Sequence, residues 1–207
     1  MYSNDVAAGH VIRLSEHLRQ QQPRADSSPA WSLTELSGRL SEISGQGAVA
    51  SLTAAFCLVH RAQLEKELVA WIALESSAFF PPDVEQCGVD LHSLVVVRVP
   101  SDRAAARATD HLLRSGAFGL IVLDLGERAD IAIPMQGRLV GLAKRHDTAV
   151  VCLTEKPTSS PSIGSMVSLR AEARRHVDAI RIRIVKDKRR GPSWSHEEKV
   201  RGPAGLR

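Results

Sequence analysis

The residues whose types and spacing come nearest to a chemical motif are 36–47, LSGRLSEISGQG. Read as a strand handing over to a helix, this stretch stands where glycine-rich loops cradle phosphates with backbone N–H groups at a helix N-terminus. That chemistry needs four residues between two glycines, then a Lys to neutralise phosphate and a Ser or Thr to hold Mg²⁺. Here six residues separate Gly38 from Gly45, and Gln46 and Gly47 follow. No Lys occurs between Trp31 and His60. Losing a charged hydrogen bond of about 1.5–3 kcal/mol weakens binding roughly ten- to a hundredfold. The loop is therefore expected to be a vestige that turns over no nucleotide, although an amide nest without Lys can still hold an anion weakly.

Two carboxylates fit the same chemistry. Asp124 closes the apolar run GLIVLD, where a Mg²⁺-organising Asp would sit, and Glu75 closes WIALE, where a water-activating Glu would sit. Each is equally readable as a turn-forming or solvated carboxylate at a strand end. Cys57, Cys87 and Cys152 stand far apart in apolar surroundings and read as reduced core thiols. None of the eight His is spaced with Cys or carboxylates as a ligand set. No metal, no cofactor and no enzymatic activity are expected.

The elements that must position these residues alternate along the chain. SLTELS (32–37) reads as a strand, 47–66 as a helix, and LVAWIAL (68–74) and LVVVRV (94–99) as strands. A helix follows Ser101 and ends at Gly116; then come the strand 119–125, a helix over 135–146 and the strand 148–154. Continuous apolar strands separated by helices predict an α/β fold, a mostly parallel sheet covered on both faces. The segments MVSLRAEARR and DAIRIRIVKDKRR alternate instead with period two, which predicts an antiparallel pair of edge strands at the C-terminal end. Ile180, Ile182 and Ile184 then face the core, while Arg181, Arg183 and Val185 face water.

The whole chain of 207 residues fits one domain with appendages. Val11, Leu14 and Leu18 mark an amphipathic helix within 1–22, and PRADSSPA makes 23–30 a linker. The core then spans 31–190, and 191–207 is expected to be a basic, flexible tail. Aromatics are only 4% of the chain, which leaves no surplus for stacking on single-stranded bases. The apolar runs are too short to span a bilayer, and the N-terminus lacks the pattern of a signal peptide. A cytoplasmic location away from membranes is the expectation. Residues 181–207 hold nine Lys or Arg against three acids, a net +6, so the remaining chain sums to −2. An acidic partner at the C-terminal end is one reading, and a solvated tail is the other.

In order and spacing, LTELSG, IALE, CGVDLHSL, LLRSGAFGLIVLD and IRIVKDKRRGP resemble consecutive segments of the RecA recombinase core, over residues 32 to about 194. The missing Lys, the short GERADIAIPMQGR after Asp124, and the phrases FGLIVLDLG, RLVGLAKRH and SLRAEARRH make the chain most similar to the ImuA family of RecA-like proteins. That resemblance implies a non-catalytic role in the DNA-damage (SOS) response, in translesion synthesis and in modulating RecA-type recombinase. The implied partners are RecA-type recombinase, an ImuB-like Y-family protein and a replicative-type error-prone polymerase, with nucleoid association and single-stranded DNA as a further partner. Gly38, Gly45, Gln46 and Gly47 would be the vestigial nucleotide loop, and Asp124 and Glu75 relics of its metal and water positions. The loop 155–165 would correspond to a DNA-binding loop, with Lys156 its one basic residue, joined by Arg189 and Arg190. Val11, Leu14 and Leu18, together with Lys186 and Lys188, would meet neighbouring subunits or partners. Direct DNA binding through the basic segment is the alternative function, and weak ATP hydrolysis a third.

Overall fold

The computed structural model describes residues 29–46, 50–77, 79–127 and 129–199. Val11, Leu14, Leu18, most of the linker, Gly47 and residues 200–207 lie outside the described residues.

The described chain opens with a short helix α1 (Leu33–Leu36) and a strand β1 (Arg39–Ser44). The expected strand at 32–37 is thus a helix. Ser32 caps it by accepting a hydrogen bond from the Glu35 N–H at 3.4 Å, the S-x-x-E signature of a helix start. Next come α2 (Ser51–Leu64), β2 (Leu68–Leu74), α3 (Pro81–Gln86), β3 (Leu94–Val99) and α4 (Asp102–Ser115). They are followed by β4 (Phe118–Asp124), α5 (Ile133–His146) and β5 (Ala149–Thr154), close to the expected bounds. Helix α4 starts at a Ser101 cap and ends on Gly116 in the left-handed region, a conformation that favours glycine.

The strands β6 (Leu169–Arg175), β7 (Ala179–Asp187) and β8 (Ser195–Lys199) complete one eight-stranded sheet, ordered β3-β2-β4-β5-β1-β6-β7-β8. The first six strands in that order run parallel, and β7 and β8 add antiparallel. This is the expected α/β class. β7 is not the edge, however, and part of the expected tail is structure. Residues 195–199 pair with β7 from Ala179↔Lys199 to Arg183↔Ser195, and Glu198 takes an ion pair from Arg61 on α2.

The sheet buries an apolar layer on each face. Ala54, Leu58 and Ala62 of α2 pack with Trp71, Val122, Val151 and Ile182 on one side. Ala106 and Leu113 of α4 and Leu139 of α5 pack with Leu40, Ile72, Leu123 and Cys152 on the other. No disulfide joins the three cysteines; burial pushes the Cys57 thiol up to about 11 and raises that of Cys152 as well. Among the described residues no helix is long and apolar enough to cross a membrane. Nor, among them, do three or more His, Cys, Asp or Glu gather as a metal site would require.

Candidate functional site

In open parallel sheets, ligands bind at the carboxyl ends of the strands. At that rim β1 ends at Ser44. The next loop is pinned at both ends, Gly45 N–H to the Thr154 carbonyl (3.2 Å) and Ala50 N–H to the Ala173 carbonyl (2.9 Å). Helix α2 then begins at Ser51. Strand, short loop and helix N-terminus therefore keep the frame of a phosphate cradle. Counting from Gly45 in that frame, four residues intervene before Ala50 takes the second glycine position, Ser51 that of Lys and Leu52 that of Ser or Thr. The Ser51 hydroxyl is buried without a partner, and Leu52 is exposed.

The frame also corrects the place of Gly38. It precedes β1, with its N–H on the Thr148 carbonyl at 3.1 Å, so a whole strand separates it from Gly45. At roughly 3.3 Å per residue the two glycines cannot share one loop. Gly38 serves a turn instead: its φ is +66°, and an added Cβ would lie 3.5 Å from Lys144 Cα.

Glu75 and Asp124 do come to the same rim as Gly45 and Gln46. Glu75 is exposed beyond β2, its N–H on the Val99 carbonyl. Asp124 is buried at the end of β4, and burial, reinforced by the nearby Glu155 charge, raises its carboxyl above the usual range. Asp102, Glu127 and Asp130 also follow the strand ends. Like charges of this kind oppose a polyphosphate at the place where the cradle has no Lys.

The basic residues singled out from the sequence do not gather at this rim, where the exposed cations include Arg174 and Arg175 at the end of β6 and Arg103 after β3. Lys156 leaves β5 beside it but turns inward, its Nζ 3.4 Å from Glu42 Oε1. Lys186, Lys188, Arg189 and Arg190 gather at the opposite end of the sheet, where β7 finishes. Lys188 Nζ donates to the Ser165 carbonyl (2.5 Å), Arg189 to the Ser37 carbonyl (3.1 Å), and Arg190 pairs with Glu35 at 3.1 Å. Lys186 is half-buried opposite Arg170, and burial followed by repulsion from Lys188 lowers its pKa. Higher on β7, Arg181 pairs with Glu197 and Arg183 with Glu172. The expected DNA-binding set of Lys156, Arg189 and Arg190 is thus divided between two ends of the sheet and engaged within the chain.

Two buried charges on β1 escaped the sequence reading. Arg39 is 1% exposed and bonds Asp187 (2.5 Å), Ser168 Oγ (2.9 Å) and Glu35 (3.3 Å). Burial alone would raise the Asp187 carboxyl, but the Arg189 N–H, the Arg39 guanidinium and the Trp194 indole outweigh it and hold the carboxyl below the usual range. Glu42 is fully buried. It accepts bonds from the Thr154 hydroxyl (2.8 Å) and the Ile163 N–H (3.1 Å), with Arg170 Nε 3.7 Å away. The available signal was a lone Arg and a lone Glu three residues apart between glycines, which a loop assignment concealed.

No protein-family model matches the chain. Curated sequences do match. RecA of Chlorobaculum parvum is 31% identical over 125 residues, 55% of this chain and 36% of that protein. RecA of a Nocardioides species is 34% identical and that of Bifidobacterium breve 32%, again over 125 residues and 55% of this chain, covering 35% and 32% of those proteins. These matches and the sheet support a RecA-like family. The chain spans about a third of the length of the curated relatives it matches.

Proposed function

We propose that this RecA-like protein acts in DNA repair and recombination as a non-catalytic docking protein of the ImuA type. It works by protein–protein interaction in translesion synthesis during the SOS response and modulates RecA-type recombinase. The observation that carries this reading is the cradle after β1, whose Lys and Ser/Thr positions hold Ser51 and Leu52. A chain with this sheet and no phosphate chemistry can present recombinase-like surfaces without entering an ATP cycle. Its partners in this reading are RecA-type recombinase, an ImuB-like Y-family protein and a replicative-type error-prone polymerase, and its place is the cytoplasm, at the nucleoid.

Direct binding of single-stranded DNA by the basic segment is the weaker reading. Arg181, Arg183 and Arg190 are paired with carboxylates, which reduces the phosphates the segment can neutralise.

Titration of the purified protein into a RecA reaction on single-stranded DNA tests the proposal, with ATP hydrolysis and strand exchange followed together. The expected outcome is a dose-dependent loss of both at protein levels comparable to RecA. Mg-ATP hydrolysis by the protein alone at recombinase-like rates would overturn it. A salt-dependent gel shift of single-stranded DNA, lost when residues 186–207 are deleted, would favour the DNA-binding reading instead.

A further inference from the structure

Helices α4 and α5 cover one face of the sheet, and their outer surface is one-sided in charge. Together they hold six Lys or Arg against two acids, both on α4. Asp110 is 7% exposed and accepts bonds from Arg114 of its own helix (3.0 Å) and Arg138 of α5 (2.6 Å), which ties the two helices together. Asp102 stands at the carboxyl rim, where it accepts the Asp130 N–H at 2.8 Å. From Arg103 to the last turns the pair exposes no carboxylate. Arg103, Arg107, His111 and Arg114 recur every three or four residues, so they share one side of α4, and all four are exposed. Arg138 and Arg145 stand about two turns apart on α5, exposed as well, and the Arg138 bond to Asp110 sets their row beside that of α4. Among the described residues Arg103, Arg107 and Arg145 have no hydrogen-bond or ion-pair partner. Like charges at this spacing destabilise a helix, and a partner of opposite charge would offset that cost.

The shape beside the arginines fits a helix. Gly141 is exposed, and a Cβ added there would meet nothing within 4 Å. Glycine inside a helix is less stable than alanine, and Gly141 has no positive φ that would call for it. It leaves the backbone of α5 open to close approach from outside. Ile133, Gly137 and Gly141 recur every fourth residue, and Met166 lies over Gly137, its Cε 3.6 Å from an added Cβ. Ile133 and Met166 are 58% and 39% exposed, so an apolar edge runs along the basic surface.

We propose that the outer face of α4 and α5 docks an acidic amphipathic helix of a partner protein. That helix crosses α5 at Gly141, rests its apolar side on Ile133 and Met166, and turns carboxylates three or four residues apart toward the arginines of both helices. Charge complementarity together with the apolar edge selects this occupant. A nucleic-acid duplex has nothing apolar to set on Ile133 and Met166. It also carries a charge about every 1.7 Å of its axis, and beyond Arg103 it would run onto Asp102, Glu127 and Asp130. The inference goes beyond the ImuA-type reading and does not rest on it.

Fluorescence anisotropy with the full chain at low salt tests it. The probe is a labelled synthetic peptide of about twenty residues, long enough to be helical, with Glu at i, i+4, i+7 and i+11 on one side and Leu on the other. Its scrambled isomer and a short DNA duplex are the comparisons. The patterned peptide should bind at least about tenfold more tightly than either, and binding should weaken as salt screens the charges. The double variant Arg103→Glu, Arg107→Glu should lose at least about tenfold of that affinity with an unchanged thermal melt, since both side chains are exposed. Gly141→Leu, which fills the open space, should also weaken the peptide without lowering the melt. Absence of peptide binding, equal binding of the scrambled isomer, or an affinity unchanged in both variants would overturn the proposal. So would a duplex bound more tightly than the peptide, which would make this face a nucleic-acid interface. Titration against RecA is read separately, so failure here leaves the reading of the cradle untouched.

Discussion

The two ends of β1 differ in what they have kept. Beyond its carboxyl end the chain is anchored at Gly45 and Ala50 and enters α2 with Ser51 and Leu52 where a phosphate cradle has its charged and hydroxyl side chains. Along the strand itself Arg39 and Glu42 are buried, and each has charged or polar partners brought from more than a hundred residues away, Asp187 and Ser168 for one, Thr154 and Ile163 for the other. The comparison teaches that this sheet is organised by charges within the chain and needs no phosphate ligand to complete it.

The sharpest way to break that comparison is Arg39→Met, which keeps the apolar stem and removes the guanidinium. Removing one partner of a buried pair leaves an uncompensated charge, so a loss of about 3–5 kcal/mol is expected in urea unfolding at neutral pH. The pH profile adds a second reading. The Asp187 carboxyl is held low in the folded protein, so its stabilisation is present above the unfolded value near 4 and is lost as pH falls through the lower folded value. Glu172, which its Arg174 and Arg183 bonds hold low against the effect of burial, follows the same sign. Acid should therefore weaken the parent protein through both groups, while Arg39→Met should show a smaller acid-dependent loss because much of the Asp187 contribution is already gone. An unchanged urea midpoint would show that β1 is held by its apolar neighbours alone.

The parts of the fold legible in the sequence are those with local signals. The apolar strands β2 to β5, and α4 between its Ser101 cap and Gly116, follow from residues adjacent in the chain. β1 was illegible because four of its six residues, Arg39, Ser41, Glu42 and Ser44, are polar yet fully buried, and partners that make the charged pair tolerable lie far off in sequence. Its neighbour 32–37 looked like a strand by composition, and only the Ser32 to Glu35 capping geometry identifies a helix. β8 resembled a tail because its Ser, His and Glu gain their order from pairing with β7. Of the site, the missing Lys was plain from the sequence, whereas the loop's frame depended on where β1 ends. Once β1 is placed, Gly45 and Ala50 define that frame and Gly38 leaves it.

Asp124→Asn probes the carboxyl rim with a smaller expected effect. Because the folded protein raises this carboxyl, the charged form opposes folding, and the resulting loss of stability develops as pH rises from the unfolded value through the folded one. The neutral amide should make the variant more stable than the parent at pH 7, with the advantage closing as pH falls below the ordinary carboxylate range. Repeating the melt with added Mg²⁺ distinguishes a relic from a working metal position. The expected result is the same Mg²⁺ response in parent and variant, and a stabilisation by Mg²⁺ confined to the parent would return Asp124 to metal chemistry.

The smallest effect should come from the pair Ser51→Lys and Leu52→Thr, which restores the two missing side-chain types to the cradle. Leu52 is exposed, and the Ser51 hydroxyl has no hydrogen bond to lose. A Lys at the start of α2 meets the unfavourable end of the helix dipole at a cost of less than about 1 kcal/mol. The urea midpoint should therefore move little, against the large shift of Arg39→Met at the other end of β1. A large loss would mean that Ser51 or Leu52 holds the helix start in place, and the loop would then be a structural joint instead of a cradle emptied of its chemistry.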